Sequence, residues 1–395
     1  WVVETYGPHF AIFENVIIEK LMIRTGLSEY FRIWNNVYRR IRFFKKMYPL
    51  SAIVKDMFLF PIDYANEHRF INKVRNVTIA ITHKCNIRCE MCYFHDKPKN
   101  TYELPMDLYR RIIDSVKSSN PCIILSGGEP FTHPNLLEMV IYAKKMHLPV
   151  QIFTNGTLVQ PAIADSLVEH CLDYIDFTLL GDEKSHSQVA RSPKAYQMLI
   201  ENLEYFAGHR GNIQIILNYT VTPENIKDIE HSVELVRLYK LDGLRIQHYN
   251  FLLPEEFEKQ ECVMSELFGM ESSTHEIENM EDVSGMTGQL VDFQNHLYKE
   301  FPDIPVQWAP TLTASEIGGW YSLKRFRTQR KCFYPWRGLL VDASGKIYPC
   351  SKIYLELGDM KGQDIFKAWN SSKMKKFRSQ LKKGLFPACS RCCKL

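Results

Sequence analysis

No run of about 18 uninterrupted apolar residues occurs in the 395-residue chain, so the sequence offers no membrane-crossing helix. The apolar core of a signal peptide is missing as well. Charge of one sign is not in excess. The formal net charge is only +4, too little over this length to point to nucleic acid as a partner. A shortage of apolar residues, the mark of disorder, does not apply either. Hydrophobic residues make up 45% of the chain, enough to bury a sizeable core. What remains is a chain long enough for two or more domains, or for one large α/β barrel with attachments.

Cysteine, by contrast, is plentiful: there are 11. Without export signals they point to a reducing, cytoplasmic setting and to metal binding more than to disulfides. Cys85, Cys89 and Cys92 lie in THKCNIRCEMCYF, residues 82–94, at C-x3-C-x2-C spacing. Cys332, Cys350, Cys389, Cys392 and Cys393 crowd the C-terminal end. Cys122, Cys171 and Cys262 are scattered and read as small apolar residues.

Three regions follow from pattern. Residues 1–75 read as a helical, basic and aromatic extension. Tyr30, Trp34, Val37, Ile41, Phe44 and Tyr48 recur at helical spacing amid Arg39, Arg40, Arg42, Lys45 and Lys46. One reading is a helix packed on the rest of the chain with a solvated basic face. The other is peripheral membrane contact through residues 29–48, with basic residues for charge attraction and aromatics as interfacial anchors. Residues 76–305 alternate β-rich runs (VTIAIT, CIILSGGEP, PVQIFTNG, YIDFTLLG, IQIILNYTV, GLRIQHYNF) with helical patterns such as 106–118, 135–146 and 162–170. This predicts an α/β fold, a partial (β/α)6 barrel, with functional residues at the C-terminal ends of the strands. Residues 254–285 carry ten acidic residues and one lysine with no clear period, and read as an acidic insertion, either a lid or a solvated loop. Residues 306–395 form a small cysteine-rich module.

Cys85 directly follows the first predicted strand. Three thiolates can hold three irons of a [4Fe–4S] cube and leave one iron open for a small molecule. Zinc held by three cysteines is the alternative, with His83 or His95 as a fourth ligand, although this is not a usual zinc spacing. SGGEP, residues 126–130, ends the second strand. Gly127 and Gly128 permit close backbone approach, and Glu129 offers an anion near a ligand ammonium.

CNIRCEMCY and SGGEP resemble the signature and the glycine-rich stretch of radical S-adenosylmethionine (radical SAM) enzymes. The resemblance implies a SAM-binding [4Fe–4S] cluster on Cys85, Cys89 and Cys92. It also implies SAM contacts from Tyr93, Gly127, Gly128, Glu129, and Thr154 and Asn155 of TNGT. DFTLLGDEKSHSQVAR is similar to the family's Ser-Leu-Asp-Gly stretch with its following His and Arg. Thr178 takes the serine place and implies a ribose contact. His186 takes the histidine place. Arg191 takes the arginine place and implies a carboxylate contact. Leu180 departs from the usual aspartate. Asn225, in NYTVTPEN, is either a helix cap or a neighbour of the ligand.

At the C-terminal end, CFYPWRGLLVDASGKIYPC reads as a β-hairpin that brings Cys332 and Cys350 together, with ASGK as its turn. Cys389 and Cys392 follow at C-x2-C spacing. The pattern resembles the SPASM and twitch auxiliary-cluster modules of the same enzymes. It implies one auxiliary [4Fe–4S] cluster on Cys332, Cys350, Cys389 and Cys392, with Cys393 either a substitute ligand or inert. A four-cysteine zinc site is the alternative.

The resemblance implies reductive cleavage of SAM, hydrogen-atom abstraction from a substrate, and a reductant such as a flavodoxin or ferredoxin as partner. A ribosomal peptide is the first substrate reading. A lipid or isoprenoid, or a sugar or other small metabolite, follows. Gln247, His248 and Tyr249, at the end of the sixth strand, are the candidate substrate-facing residues. A non-enzymatic iron–sulfur or zinc protein is the reading from another class.

Overall fold

The computed structural model describes residues 62–65, 70–92, 102–270, 274, 283, 285–328 and 330–395. The helix expected at residues 29–48, Tyr93, and most of residues 271–284 lie outside the described residues.

The β-rich runs form strands because β-branched and aromatic side chains suit a surface covered on both faces. In order they are β1 (Asn76–Thr82), β2 (Cys122–Gly127), β3 (Val150–Thr154), β4 (Tyr174–Leu179), β5 (Gln214–Thr220) and β6 (Gly243–Gln247). Each pairs in parallel with the next. Helices α1 (Met106–Val116), α2 (Leu136–Lys145), α3 (Pro161–Glu169), α4 (Glu183–Val189), α5 (Ala195–His209) and α6 (Ile229–Leu238) lie between them. α1 is typical: Leu108, Tyr109, Ile112, Ile113 and Val116 recur at helical spacing and are its buried face. Asp182 caps α4 by accepting a hydrogen bond from the Ser185 N–H at 2.8 Å.

The sheet runs beyond the six expected strands. β7 (Val306–Ala309) adds in parallel to β6. At the other edge β8 (Gly338–Val341) pairs in parallel with β1, and β9 (Lys346–Tyr348) and β10 (Gly358–Asp359) continue antiparallel. The order β10-β9-β8-β1-β2-β3-β4-β5-β6-β7 makes one open, ten-stranded sheet. The expected C-terminal hairpin is therefore built onto the barrel sheet. Its turn is closed by Asp342 Oδ1, which accepts from the N–H groups of Ser344 (2.9 Å) and Lys346 (3.0 Å). Gly345 there takes φ +92°.

The acidic stretch differs from expectation. Its first half is a helix, α7 (Pro254–Phe268), with proline at its first position and Gly269 ending it at φ +68°. Glu256, Gln260 and Met264 are its buried face. α8 (Met286–Glu300) and α9 (Ala314–Trp320) follow, and α10 (Ile365–Trp369) and α11 (Ser372–Lys383) close the chain's helices. Trp308, Trp320, Trp336 and Trp369 are fully buried. Truncating any of them to Ala would cost about 3–5 kcal/mol.

Candidate active site and cluster sites

The loop after β1 is held from two sides. On one side, the SGGEP strap lies against its backbone: Gly128 N–H donates to Thr82 O and Glu129 N–H to Lys84 O, both at 2.8 Å. The approach is so close that a Cβ on Gly127 would sit 2.2 Å from Thr82 O, and one on Gly128 2.0 Å from Lys84 O. Gly127 also takes φ +131°. The two glycines are thus required by the cysteine loop itself, before any ligand is considered. On the other side, Asn86 Nδ2 donates to Thr157 Oγ1 at 2.7 Å, and Asn155 Nδ2 donates to Asn86 Oδ1 at 2.9 Å. Ile87, flanked by Cys89 and Met91, packs into a small apolar cluster with Leu180, Val189, Ala190 and Ala195.

Glu129 is 1% exposed and its carboxylate is already engaged. It accepts from Thr154 Oγ1 (2.8 Å), Asn155 N–H (2.7 Å) and Phe131 N–H (3.1 Å). These bonds tie the end of β2 to the end of β3, while Glu129 also lines the cavity. Burial raises its carboxyl to about 7.

Cys85, Cys89 and Cys92 open into one cavity of about 240 Å³. Ser126, Gly127, Gly128, Glu129, Thr154, Asn155, Thr178 and His186 line its walls. Burial pushes the Cys85 thiol up to about 11, with the Glu129 and Cys92 charges adding. Burial likewise takes Cys89 to about 12, with Cys92 and Cys85 adding. Burial and mutual charge both disfavour the thiolate forms, and a cationic partner such as the irons of a cluster offsets that cost. Among the described residues, no three His, Cys, Asp or Glu side chains converge as ligands of a single metal ion. Three cysteine thiols on one loop are the donor type that an iron–sulfur cluster takes.

A second cavity of about 240 Å³ shares Cys92, Ser126, Thr178, Gln247, Asn250 and Lys352 with the first. It extends down the sheet to Tyr334, Ser351, Tyr354, Cys393 and Lys394. Its lining holds two lysines and no carboxylate. Behind it lie Cys332, Cys350, Cys389 and Cys392. Burial raises all of their thiols except that of Cys392, which is raised first by the hydrogen bond with Cys393 and then by burial. Cys389 feels Cys332, Cys392 and Cys350 together. Cys393 is hydrogen-bonded to Cys392 and shares its small buried cluster, against which Cys332 packs. Burial alone would raise its thiol, but the Cys392 hydrogen bond and the Lys352 and Lys394 charges outweigh it and bring it down to about 7.

The remaining expected residues fall as follows. Gln247 and Tyr249 line the first cavity. His248 does not: it is fully buried, stacked on Trp308 at 5.3 Å and hydrogen-bonded through Nδ1 to Tyr321 OH at 3.0 Å. Burial lowers it to about 3, so it is a packed, neutral ring and not a substrate contact. Alternation along the chain explains the split between 247/249 and 248. Arg191, at φ 49°, pairs with Glu90 at 3.1 Å and is absent from the cavity lining. Asn225 is fully buried and links strand ends: its Nδ2 donates to Leu180 O (3.1 Å) and Thr220 O (2.9 Å), and its Oδ1 accepts from Thr222 N–H (2.7 Å). Asn86, Asn250 and Lys352 were not singled out from sequence. Asn86, inside the cysteine signature, was the one with a signal.

Residues 79–236 match the radical SAM superfamily, and residues 332–393 match the SPASM iron–sulfur cluster-binding domain. Fe-coproporphyrin III synthase of Methanosarcina barkeri is 28% identical over 170 residues, 42% of this chain and 42% of that protein. The tungsten-containing aldehyde ferredoxin oxidoreductase cofactor-modifying protein of Pyrococcus furiosus is 23% identical over 345 residues, 80% of this chain and 86% of that one. The chain spans about half the length of the first curated relatives it matches, 42% and 52%. Streptococcus suis SuiB, in a crystal structure with S-adenosylmethionine, shares the fold at a TM-score of 0.59 and 13% identity over 93% of this chain and 78% of that one. SuiB bound to its precursor peptide SuiA gives a TM-score of 0.56 at 13% identity over 84% of this chain and 73% of that one.

Proposed function

This chain belongs to the radical SAM superfamily and carries a C-terminal iron–sulfur cluster-binding domain, and we propose that it is a peptide-modifying enzyme. Its cofactors are SAM, a SAM-binding [4Fe–4S] cluster and an auxiliary iron–sulfur cluster. When bound, the first cluster supplies the electron that cleaves SAM to methionine and a 5′-deoxyadenosyl radical, which takes a hydrogen atom from the substrate.

The chain's residues do the rest. Cys85, Cys89 and Cys92, which line the cavity, would hold three irons of the first cluster, and its fourth iron would be free to bind SAM. The Gly127–Gly128 strap and the Asn86–Asn155 contact fix the loop at the cavity that Thr178 and His186 also line. Phe153, Ile87, Met91 and Leu180 supply its apolar wall. Cys332, Cys350, Cys389 and Cys392 complete the auxiliary cluster, which serves electron transfer.

The observation that carries the reading is a pair of adjoining cavities with shared walls, one at the three-cysteine loop and one reaching the C-terminal module. It is a place for a substrate between two clusters. A peptide is favoured by the SuiB fold shared over most of this chain, since SuiB itself is seen with a precursor peptide. The Lys352 and Lys394 wall suits neutral or anionic side chains. The test is 5′-deoxyadenosine formation by the reduced, reconstituted protein with a pool of short peptides, with Fe-coproporphyrin III, and with neither. A roughly tenfold rise with peptides alone supports the proposal. A rise only with the porphyrin moves the chain toward its tetrapyrrole relatives.

A further inference from the structure

We propose that a basic collar beside the auxiliary-cluster cysteines, made of Lys324, Arg325, Arg327, Lys331 and Lys383, docks an acidic one-electron carrier, a flavin or iron–sulfur protein. The assignment rests on the auxiliary cluster of the reading above. It begins with charge. The net +4 of the chain conceals a segregation. Residues 317–341 and 365–395 hold fifteen of the 49 Lys and Arg and none of the 45 Asp and Glu. The rest of the chain is acidic on balance. Cys332, Cys389 and Cys392 all lie within these two basic stretches.

The fold ties both stretches to the cluster cysteines. Arg391, between Cys389 and Cys392, donates to the backbone carbonyls of Ser322 (3.1 Å) and Lys324 (2.8 Å). Lys331 directly precedes Cys332, and its Nζ donates to Lys382 O, near the end of α11, at 3.4 Å. Phe326 turns inward against Trp320, with ring centroids 5.9 Å apart. Its neighbours Arg325 and Arg327 are exposed, as are Lys324, Lys331 and Lys383. The nearby carboxylates are engaged inward: Glu316 pairs with Arg330 at 2.8 Å, and Glu256 with Arg391. Among the described residues, no carboxylate pairs with any of the five collar side chains.

Exposed cations without carboxylate partners attract an anionic surface and speed its approach. Their place in the fold selects which one. Cys332 is only half-buried, whereas Cys350, Cys389, Cys392 and Cys393 are buried, so the cluster site comes nearest to solvent where the collar begins. An electron passes only between centres brought close together. A redox protein gains from docking at that spot, and a lipid surface does not. The reduced flavin or iron–sulfur group of the carrier gives up one electron, and the oxidised auxiliary cluster takes it; no bond is made or broken.

The test uses the reconstituted full chain and a flavodoxin of net negative charge. The collar variant is Arg325→Glu, Arg327→Glu and Lys331→Glu together. Lys145→Glu, Lys227→Glu and Lys240→Glu, at exposed positions elsewhere, make the same change in net charge. Calorimetry gives the Kd at about 50 mM and about 300 mM salt, and stopped-flow follows oxidation of the reduced flavin. Iron content and Tm are measured in parallel. Wild-type binding is expected to weaken with salt. The collar variant should bind roughly tenfold more weakly at low salt, with electron transfer slowed alike and little left for salt to remove; the control triple should stay within about twofold of wild type. Equal affinity in wild type and collar variant overturns the docking site, and so does equal loss in the control. If the collar variant loses iron or unfolds, the same three positions changed to Gln decide, with about threefold weakening expected and none overturning it. Wild-type binding to phosphatidylserine vesicles that the collar variant loses, with flavodoxin affinity unchanged, makes the collar a lipid contact and also overturns it. If the wild type holds only about four irons per chain, the auxiliary-cluster reading fails first and the assignment falls with it.

Discussion

Glu256 and Arg391, 135 residues apart, form a buried ion pair at 2.5 Å, with side chains 2% and 0% exposed. Arg391 stands between Cys389 and Cys392. It also donates to Trp320 O (2.7 Å), Ser322 O (3.1 Å) and Lys324 O (2.8 Å), and its guanidinium lies 4.5 Å over the Phe251 ring. Glu256 is on α7, two turns before Met264, and Gln260 on the same face accepts from Ala388 N–H at 3.1 Å. The helix that follows β6 therefore clamps the loop carrying Cys389 and Cys392.

Removing one partner leaves the other buried and uncompensated, at a cost of about 3–5 kcal/mol. Glu256→Gln and Arg391→Met are expected to release that loop, so that reconstituted iron falls from about eight to about four atoms per chain. Iron and sulfide analysis with Tm checks this. Full iron content in both variants would show that the clamp does not position the cysteines.

Gly127→Ala and Gly128→Ala are expected to empty the other cluster. Each new Cβ meets a backbone carbonyl at 2.2 or 2.0 Å, and backbone cannot move aside as a flexible side chain can. The strap must lift from the cysteine loop, a change worth more than about 2 kcal/mol. Loss of SAM binding with the auxiliary cluster retained is the predicted pattern.

Glu129 gives a pH dependence. Its folded carboxyl titrates at about 7, above the ordinary 4.5, because it is buried. A carboxyl raised on folding takes up a proton, so its contribution is full below about 4.5 and is lost as pH rises toward 7. The Tm difference between the metal-free wild type and Glu129→Gln should therefore narrow from pH 5 to pH 7.5. The variant is the less stable of the two at pH 5, because one amide oxygen cannot accept all three donors. A difference that widens with pH would reverse the sign of this account.

Cys393→Ala should keep about eight irons per chain, whereas Cys332→Ala, Cys350→Ala, Cys389→Ala or Cys392→Ala should each lose the auxiliary cluster. The ground is placement: Cys393 lines the second cavity, while the other four line neither cavity. Loss of iron in Cys393→Ala would make it a ligand.

The chemistry was legible because it is written locally. Cysteine spacing, SGGEP and TNGT each sit at a strand end, and parallel pairing brings those ends together. What the sequence hid depends on distant partners. α7 has no apolar stripe because two of its buried positions, Glu256 and Gln260, are polar and answer Arg391 and Ala388. Periodicity that counts only apolar residues cannot see such a face. β7 is four residues long and becomes a strand through β6. The three protein donors to Glu129 were hidden for the same reason: Thr154 and Asn155 come from the end of the next strand and Phe131 from the turn.

The central claim is that three thiols leave an iron open to SAM while four close the second cluster. Its most direct measurement is 5′-deoxyadenosine released when the reconstituted protein, holding about eight irons, is reduced anaerobically with SAM. The account predicts 5′-deoxyadenosine and methionine in equal amounts, abolished by Cys89→Ala. No 5′-deoxyadenosine from a fully loaded, reduced sample would contradict it.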